Sequence, residues 1–172
     1  SFECMSNRIY ENFDRDANKC IREDYWGTTD IHVGIDFNVN PMTAVVSVIE
    51  NKNIYIFDEI VEPNSNTTEL SKTLKSKYPK ADIYVYPDPT GDKNQTNGVT
   101  GLTDLEILRR AGFTVCVPRT RYSTKDKFNT VNLALLNAKG ERRVFITEGT
   151  CPQLKKAWEG YSRKPNGEPD KN

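Results

Sequence analysis

The chain has 172 residues, of which 36% are hydrophobic and 28% are charged, a composition that fits one globular domain and excludes collagen-like or low-complexity sequence. Its 24 basic and 24 acidic side chains cancel, so net charge alone predicts neither a nucleic-acid nor a membrane partner, although basic residues are in excess over residues 101–172. No segment reaches the roughly 18 consecutive apolar residues that a membrane-spanning helix requires, so we expect no membrane partner.

The first 30 residues are polar and show no sustained hydrophobic period. We therefore predict an N-terminal arm over residues 1–30, packed on a folded α/β domain over residues 31–172. The four cysteines form no C-x-x-C pair and the chain has one histidine, which argues against a zinc site.

Three strands joined by short links are predicted to open the domain. Apolar and polar residues alternate from His32 to Val39, which is typical of a strand and places Asp36 on the face opposite to the apolar side chains. The β-branched runs Thr43–Ile49 and Ile54–Val61 predict two more strands. Because the links between them are so short, we expect an antiparallel three-stranded meander.

A helix and a fourth strand follow. A helix capped by Asn66 or Thr67 is predicted to end near Tyr78. The run Ala81–Tyr86 predicts a strand, and the prolines on both sides of Asp88 end it. Asp88 is therefore expected at the carboxyl end of this strand.

The rest of the chain alternates between helices and strands after a polar loop predicted over residues 90–100. The hydrophobic spacing predicts helices over 104–111, 125–138 and 152–161, a strand over 113–118 and an edge strand over 143–146. Together the elements predict an α/β fold in which a mixed sheet combines the antiparallel meander with parallel strands and is flanked by helices.

Two aspartates are the main candidates for a functional site. If the crossover returns the fourth strand parallel to the first, Asp36 and Asp88 lie together at the carboxyl ends of neighbouring strands, where α/β sheets bind ligands. Paired carboxylates suit Mg²⁺ or Mn²⁺, and two such ions roughly 4 Å apart can promote phosphodiester cleavage. Asp58 and Glu59 add one acid to each face of the third strand. A solvent-facing position or a turn cap remains the alternative for each of these acids.

Short motifs around the two aspartates occur in the order seen in one known family. Gly34-Ile35-Asp36, Pro41 and Ala44 form G-I-D-x-x-x-x-P-x-x-A, and the second aspartate lies in Tyr86-Pro87-Asp88-Pro89. This arrangement resembles the nuclease domain of the large terminase subunit of tailed bacteriophages, a DNA-packaging protein, over nearly the whole chain. The resemblance implies an RNase H-like fold.

The same resemblance implies an activity and a three-acid site. It implies a metal-dependent endonuclease that cuts concatemeric double-stranded DNA by two-metal hydrolysis, with Mg²⁺ or Mn²⁺ bound by the catalytic residues Asp36 and Asp88. The third acid of the family lies in a C-terminal Asp-His and Asp-Ala pattern that this chain lacks. Asp170 lies in a polar segment typical of a solvated residue, so we expect the third acid, and the end of a truncated domain, beyond Asn172.

Partners and location also follow from the resemblance. It implies an ATPase motor domain N-terminal to this chain, a portal protein and a small terminase subunit, in the cytoplasm of the bacterial host during virion assembly. The chain has no G-x-x-x-x-G-K-[ST] phosphate loop, so it cannot be the motor itself.

Basic side chains near the predicted site are candidate DNA contacts. Arg121 and Lys125 belong, with Arg119 and Lys127, to a basic run after the fifth strand, and such side chains bind phosphates in a salt-dependent way. Lys93, in the loop after Asp88, is predicted to steer the DNA backbone towards the metal site. Ordinary surface polarity is the alternative for all of these residues.

Two other classes of function remain open. A non-catalytic DNA-holding or docking module would use the acids for structure, and salt-sensitive DNA binding that ignores Mn²⁺ would favour it. An actin-like or sugar-kinase ATPase also begins with a G-I-D-like strand, but those proteins have small residues where this chain has Phe37 and Asn38. ATP binding without DNA cleavage would favour the ATPase.

Overall fold

A computed structural model describes residues 7–22, 30–38, 40–88 and 102–170 of the chain. Within these ranges the chain forms seven strands and four helices. The strands are β1 (Lys19–Cys20), β2 (Asp30–Asp36), β3 (Met42–Glu50), β4 (Asn53–Glu62), β5 (Asp82–Pro87), β6 (Thr114–Val115) and β7 (Val144–Thr147). The helices are α1 (Thr67–Lys77), α2 (Asp104–Arg110), α3 (Thr124–Leu135) and α4 (Pro152–Gly160).

The strands form one mixed sheet in the order β1-β7-β4-β3-β2-β5-β6. β2, β3 and β4 form the predicted antiparallel meander, and the turn after β3 holds Asn51 and Lys52 at φ angles of 50° and 66°, the left-handed conformation of a tight hairpin. β5 pairs with β2, β6 with β5 and β7 with β4, all in parallel. The predicted mixed sheet flanked by helices is therefore confirmed.

The crossover through α1 sets the position of the candidate site. The Asn66 side chain accepts a hydrogen bond from the Glu69 N–H at the start of α1, so Asn66 is the N-cap. α1 connects β4 to β5, so the chain passes β3 and β2 before it returns to the sheet. β5 then pairs with β2 in parallel. This is the pairing that a convergence of Asp36 and Asp88 requires.

Helices cover both faces of the sheet. On one face, α1 and α2 pack on the apolar sides of the central strands to form the larger core cluster, whose members include Val33, Ile35, Ala44, Val46, Val85, Leu70, Leu74 and Leu108. On the other face, α3, α4 and the N-terminal segment pack over β4 and β7 in a second cluster, which includes Phe13, Ile56, Leu135, Val144 and Ile146. No helix within the described residues combines the length and the apolar character needed to cross a bilayer.

Several element boundaries differ from those predicted. The first strand of the meander ends at Asp36, although the alternating pattern continues to Val39, and Val39 itself lies outside the described residues. The strand predicted over 113–118 pairs only at Thr114–Val115, and the helix predicted to reach residue 138 ends at Leu135. The loop predicted over 90–100 also lies outside the described residues.

The strand predicted over residues 143–146 is present as β7, but its predicted place at the edge of the sheet is wrong. β7 lies between β4 and β1, and the edge is β1, which pairs Lys19 with Ile146 and Cys20 with Thr147. A two-residue strand has too little hydrophobic period to be detected in a sequence. Whether the chain divides at residue 30 into an arm and a domain stays a prediction.

Buried amide side chains tie the N-terminal segment to the sheet. The fully buried Asn18 donates to the carbonyl oxygens of Leu135 and Val144 at 3.0 and 2.9 Å. Asn132 donates to the carbonyl of Ile9 at 2.7 Å. Because buried polar groups cost stability when unpaired, these bonds fix the segment in one register against α3 and β7.

Candidate functional site

Asp36 and Asp88 lie at the carboxyl ends of two neighbouring parallel strands. Asp36 is the last residue of β2, and Asp88 directly follows β5. Ile35 and Pro87 are partners in the parallel register, so the two aspartates occupy the next position on each strand. Both are exposed on the face that carries Gly34 and Tyr86, since alternate residues of a strand share a face. The structure thus brings together the two acids that the sequence singled out.

The two carboxylates open onto a groove with a volume of about 1170 Å³. Its floor is the face of β2 and β3 that carries Gly34, Thr43 and Val45, and α3 forms one wall with Lys127, Thr130 and Val131. The segment after β6 completes the lining with Cys116, Val117, Pro118 and Tyr122. The groove therefore combines two anionic groups with largely apolar walls.

Polar and charged neighbours are present at both aspartates. The Asn38 side-chain amide donates to Asp36 Oδ2 at 2.9 Å. On the other strand, Lys127 Nζ lies 3.6 Å from Asp88 Oδ2, with both side chains about half exposed. The sequence analysis included Lys127 in a basic run that could bind phosphates, but it did not predict its contact with Asp88, and it did not select Asn38.

An aromatic cluster fixes the Tyr86 side chain beside Asp88. His32 Nδ1 lies 2.7 Å from the Tyr86 hydroxyl, and the imidazole stacks on Tyr84 with ring centroids 5.2 Å apart. Burial lowers the pKa of His32, against a weaker opposite effect of Asp30. The lowered pKa favours the neutral imidazole, and His32 is a hydrogen-bond partner of the Tyr86 hydroxyl.

The candidate DNA contacts are placed differently from one another. Arg121 is exposed and directly precedes the groove residue Tyr122. Lys125 is also exposed but lines a separate depression of about 440 Å³ with Phe128 and Arg163. Lys93 lies outside the described residues. Their role in DNA binding stays a prediction.

Asp58 and Glu59 lie on opposite faces of β4, as predicted, and both have partners in helices. Asp58 accepts hydrogen bonds from Lys77 and from the Tyr78 hydroxyl at the end of α1. Glu59 accepts from the backbone N–H groups of Gln153 and Leu154, both at 2.8 Å, and so caps α4, whose own N-cap residue makes no side-chain bond. Neither acid lines the groove.

The donor chemistry of the groove fits a hard divalent cation. Carboxylate oxygens are the ligands that Mg²⁺ and Mn²⁺ prefer, and the Lys127 ammonium beside Asp88 shows that this end of the groove attracts positive charge. Across the described ranges, no three Asp, Glu, His or Cys side chains cluster closely enough to hold a metal together. Asp170, whose N–H donates to the Ser162 carbonyl, is not among the residues that line the groove. The described residues thus place two carboxylates on the groove.

Comparison with known proteins is informative at the level of structure. No protein-family model matches the chain, and no curated protein matches it. Among solved structures, it is similar to the large terminase of a thermophilic bacteriophage in complex with ADP, with a TM-score of 0.75 and 16% identity over 95% of this chain. The chain spans 40% of the length of that protein.

Isolated nuclease domains match over most of their length. The P22 large terminase nuclease domain gives a TM-score of 0.72 at 16% identity and covers 96% of this chain and 84% of its own. The large terminase nuclease from thermophilic phage G20c with bound magnesium gives a TM-score of 0.60 at 16% identity, over 95% of this chain and 86% of its own. The chain therefore has the RNase H-like fold of large terminase nuclease domains, which confirms the resemblance seen in its sequence.

Proposed function

We propose that this chain is the metal-dependent endonuclease domain of a viral DNA-packaging terminase. The observation that carries the proposal is the placement of Asp36 and Asp88 at the carboxyl ends of adjacent parallel strands, on one groove of a fold shared with large terminase nucleases. The magnesium bound in the G20c nuclease structure and the manganese bound in the SPP1 nuclease structure support Mg²⁺ or Mn²⁺ as the cofactor.

The substrate we propose is concatemeric double-stranded DNA, cut by two-metal hydrolysis of a phosphodiester. When bound, divalent ions activate water and stabilise the leaving oxygen. Asp36 and Asp88 would hold them, while the amide of Asn38 fixes the orientation of the Asp36 carboxylate. Two carboxylates alone hold such a cation weakly, so the complete site needs a further ligand, as the family resemblance implies.

The basic side chains near the groove would hold the DNA backbone. Lys127 lies in one wall of the groove and Arg121 is exposed next to the groove residue Tyr122, so their charges would offset the repulsion between phosphates and the two aspartates. Lys125, which lines the separate depression, would extend this contact along the duplex, and Lys93 would steer the DNA backbone towards the metal site. By the same resemblance, we assign the chain an ATPase motor domain, a portal protein and a small terminase subunit as partners, in the cytoplasm of the bacterial host.

A second candidate function is a non-catalytic DNA-holding module. The observation that favours it is the lack of a three-ligand cluster within the described ranges. Such a module would bind DNA with a strong salt dependence and would not respond to Mn²⁺.

Plasmid nicking tests the proposal, with Mn²⁺, Mg²⁺ or EDTA added to a version of the chain extended past Asn172, which supplies the expected third acid, and to the same version with Asp36→Asn. We expect cutting that requires a divalent cation and falls about a hundredfold or more in Asp36→Asn, since a lost metal ligand costs several kcal/mol of transition-state stabilisation. The melting temperature should stay nearly unchanged because Asp36 is exposed.

The matched control is Asp30→Asn, which changes the same residue type on the same face and at the opposite end of the same strand. It should cut DNA within about twofold of wild type, as for other surface substitutions. Full activity in Asp36→Asn would refute the site assignment. DNA binding without any cutting by the extended wild type would favour the DNA-holding module.

A further inference from the structure

Lys127 lies on the groove-facing side of α3 and pairs with one of the two candidate metal ligands. Its Nζ is 3.6 Å from Asp88 Oδ2, and about half of each side chain is exposed. Residues 127, 130 and 131 share one side of the helix and line the groove together, whereas Lys125 lines the separate depression. The two neighbouring lysines of α3 therefore serve different surfaces.

Lys127 and Asp88 can readily exchange each other for other charged partners. Exposed ion pairs contribute little to stability, because solvent screens them and ordering two long side chains costs entropy. The fold therefore does not depend on this contact, and Lys127 is held at Asp88 by charge rather than by packing. Anything that neutralises Asp88 would release the ammonium group.

The Lys127 ammonium group can bind either Asp88 or a phosphate in the groove. A divalent cation at Asp88 would repel it, since like charges a few ångströms apart interact strongly near a protein surface. A DNA phosphate in the groove would attract it, because lysine binds phosphate as a compact point charge.

We propose that Lys127 changes partner during the reaction: it pairs with Asp88 in the metal-free protein and moves to a DNA phosphate when the charge of Asp88 is neutralised. This inference rests on the proposed nuclease function and assigns to Lys127 the positioning of the substrate backbone. The affinities for DNA and for the metal should therefore increase each other, because a cation bound at Asp88 releases the Lys127 ammonium group to bind a DNA phosphate.

A double-mutant cycle in EDTA tests the exchange without metal or cleavage. The affinity for a short fluorescent duplex is measured by anisotropy for wild type, Asp88→Asn, Lys127→Met and the double variant. Asp88→Asn imitates neutralisation, and we expect it to bind DNA about three- to tenfold more tightly than wild type. Lys127→Met in the double variant should remove most of that gain, whereas Lys127→Met alone should change affinity by less than about twofold, since the pair holds Lys127 away from DNA.

Lys139→Met is the matched control, because Lys139 is exposed in the turn after α3 and does not line the groove. Combined with Asp88→Asn, it should leave the gain intact. An equal gain in Asp88→Asn with and without Lys127 would overturn the proposal, and so would undetectable DNA binding by all four proteins.

Titration with Mn²⁺ alone provides a second readout. Lys127→Met should bind Mn²⁺ about threefold or more tightly than wild type because a competing charge is removed, and Lys127→Arg should restore the weaker binding. Unchanged Mn²⁺ affinity in Lys127→Met would overturn the exchange. Failure of plasmid cutting would refute the nuclease proposal and would leave the coupling in EDTA unaffected, so the two failures are distinguishable.

Discussion

The two ends of the β2–β5 pair carry the same side chains in different surroundings. At the amino ends, Asp30 and Asp82 are partners in the parallel register, and at the carboxyl ends Asp36 and Asp88 follow the last pair. All four are exposed and lie on the same face. Asp36 and Asp88 share the large groove under α3, whereas Asp82 borders a separate depression of about 300 Å³ beside the end of α1.

This difference shows that position in the sheet, rather than residue type, distinguishes the candidate site. At the carboxyl ends of parallel strands the chain turns away in loops, which leaves space for a ligand between the sheet and the flanking helices. At this end α3 also contributes Lys127, so the two aspartates face an apolar wall that carries a cation. At the amino end, Asp30 instead acts on the imidazole of His32.

The largest expected effect separates the two ends by metal affinity. Asp88→Asn should weaken Mn²⁺ binding by about tenfold or more, because a neutral amide is a poorer ligand for a hard cation than a carboxylate. Asp82→Asn should leave the affinity unchanged. Isothermal titration calorimetry with Mn²⁺ measures the affinity of each variant. Equal affinities in the two variants would remove the distinction between the ends.

The placement of Asp36 and Asp88 on their strands was predictable from sequence because it follows from local patterns. Alternation fixes the face of Asp36, prolines fix the end of the strand before Asp88, and the short links leave one arrangement for the meander. The pairing of β5 with β2 was a condition in the sequence analysis, because the usual handedness of crossovers does not fix which strand becomes the neighbour. Only the steps before it need no more than neighbouring residues.

The contacts that complete the site were not predictable in this way. Lys127 reaches Asp88 from a helix 39 positions further along the chain, and no local period shows how α3 lies over the sheet. Similarly, β1 is formed by two residues that pair with β7 far along the chain. Such contacts depend on tertiary packing, which explains why the N-terminal segment looked featureless although Asn18 in it is fully buried.

An intermediate effect concerns Glu59, an acid that the sequence analysis left open as a site residue. Glu59 is the partner of Val45, which is in turn the partner of Gly34, so it lies in a row of the sheet close to Asp36. Its carboxylate is occupied by two N–H groups of α4. Glu59→Gln should lower the free energy of unfolding by about 1–2 kcal/mol, since a cap bond and a favourable charge at a helix N-terminus are weakened.

Chemical denaturation measures this loss, with Glu148→Gln as the control. Glu148 forms an exposed ion pair with Lys19 at 3.5 Å, which should contribute less than about 1 kcal/mol. Mn²⁺ affinity should be the same in Glu59→Gln as in the wild type, in contrast to Asp88→Asn. A large loss of metal affinity in Glu59→Gln would show that Glu59 is a third acid of the site, in contradiction to the structural role assigned to it.

The smallest expected effect on stability concerns Gly34, which lies midway between the two ends on β2 and forms part of the groove floor. A Cβ at this position would meet no atom within 4 Å, so Gly34→Ala fits the fold. It should raise the free energy of unfolding by up to about 0.5–1 kcal/mol, because alanine loses less backbone entropy than glycine in a strand.

The added methyl group would project into the groove, and glycines in strands often mark the close approach of a ligand. DNA cutting should therefore fall several-fold while thermal stability is kept, measured by plasmid nicking beside a melting curve. If Gly34→Ala cuts DNA as fast as the wild type, DNA reaches Asp36 and Asp88 without approaching the groove floor at Gly34.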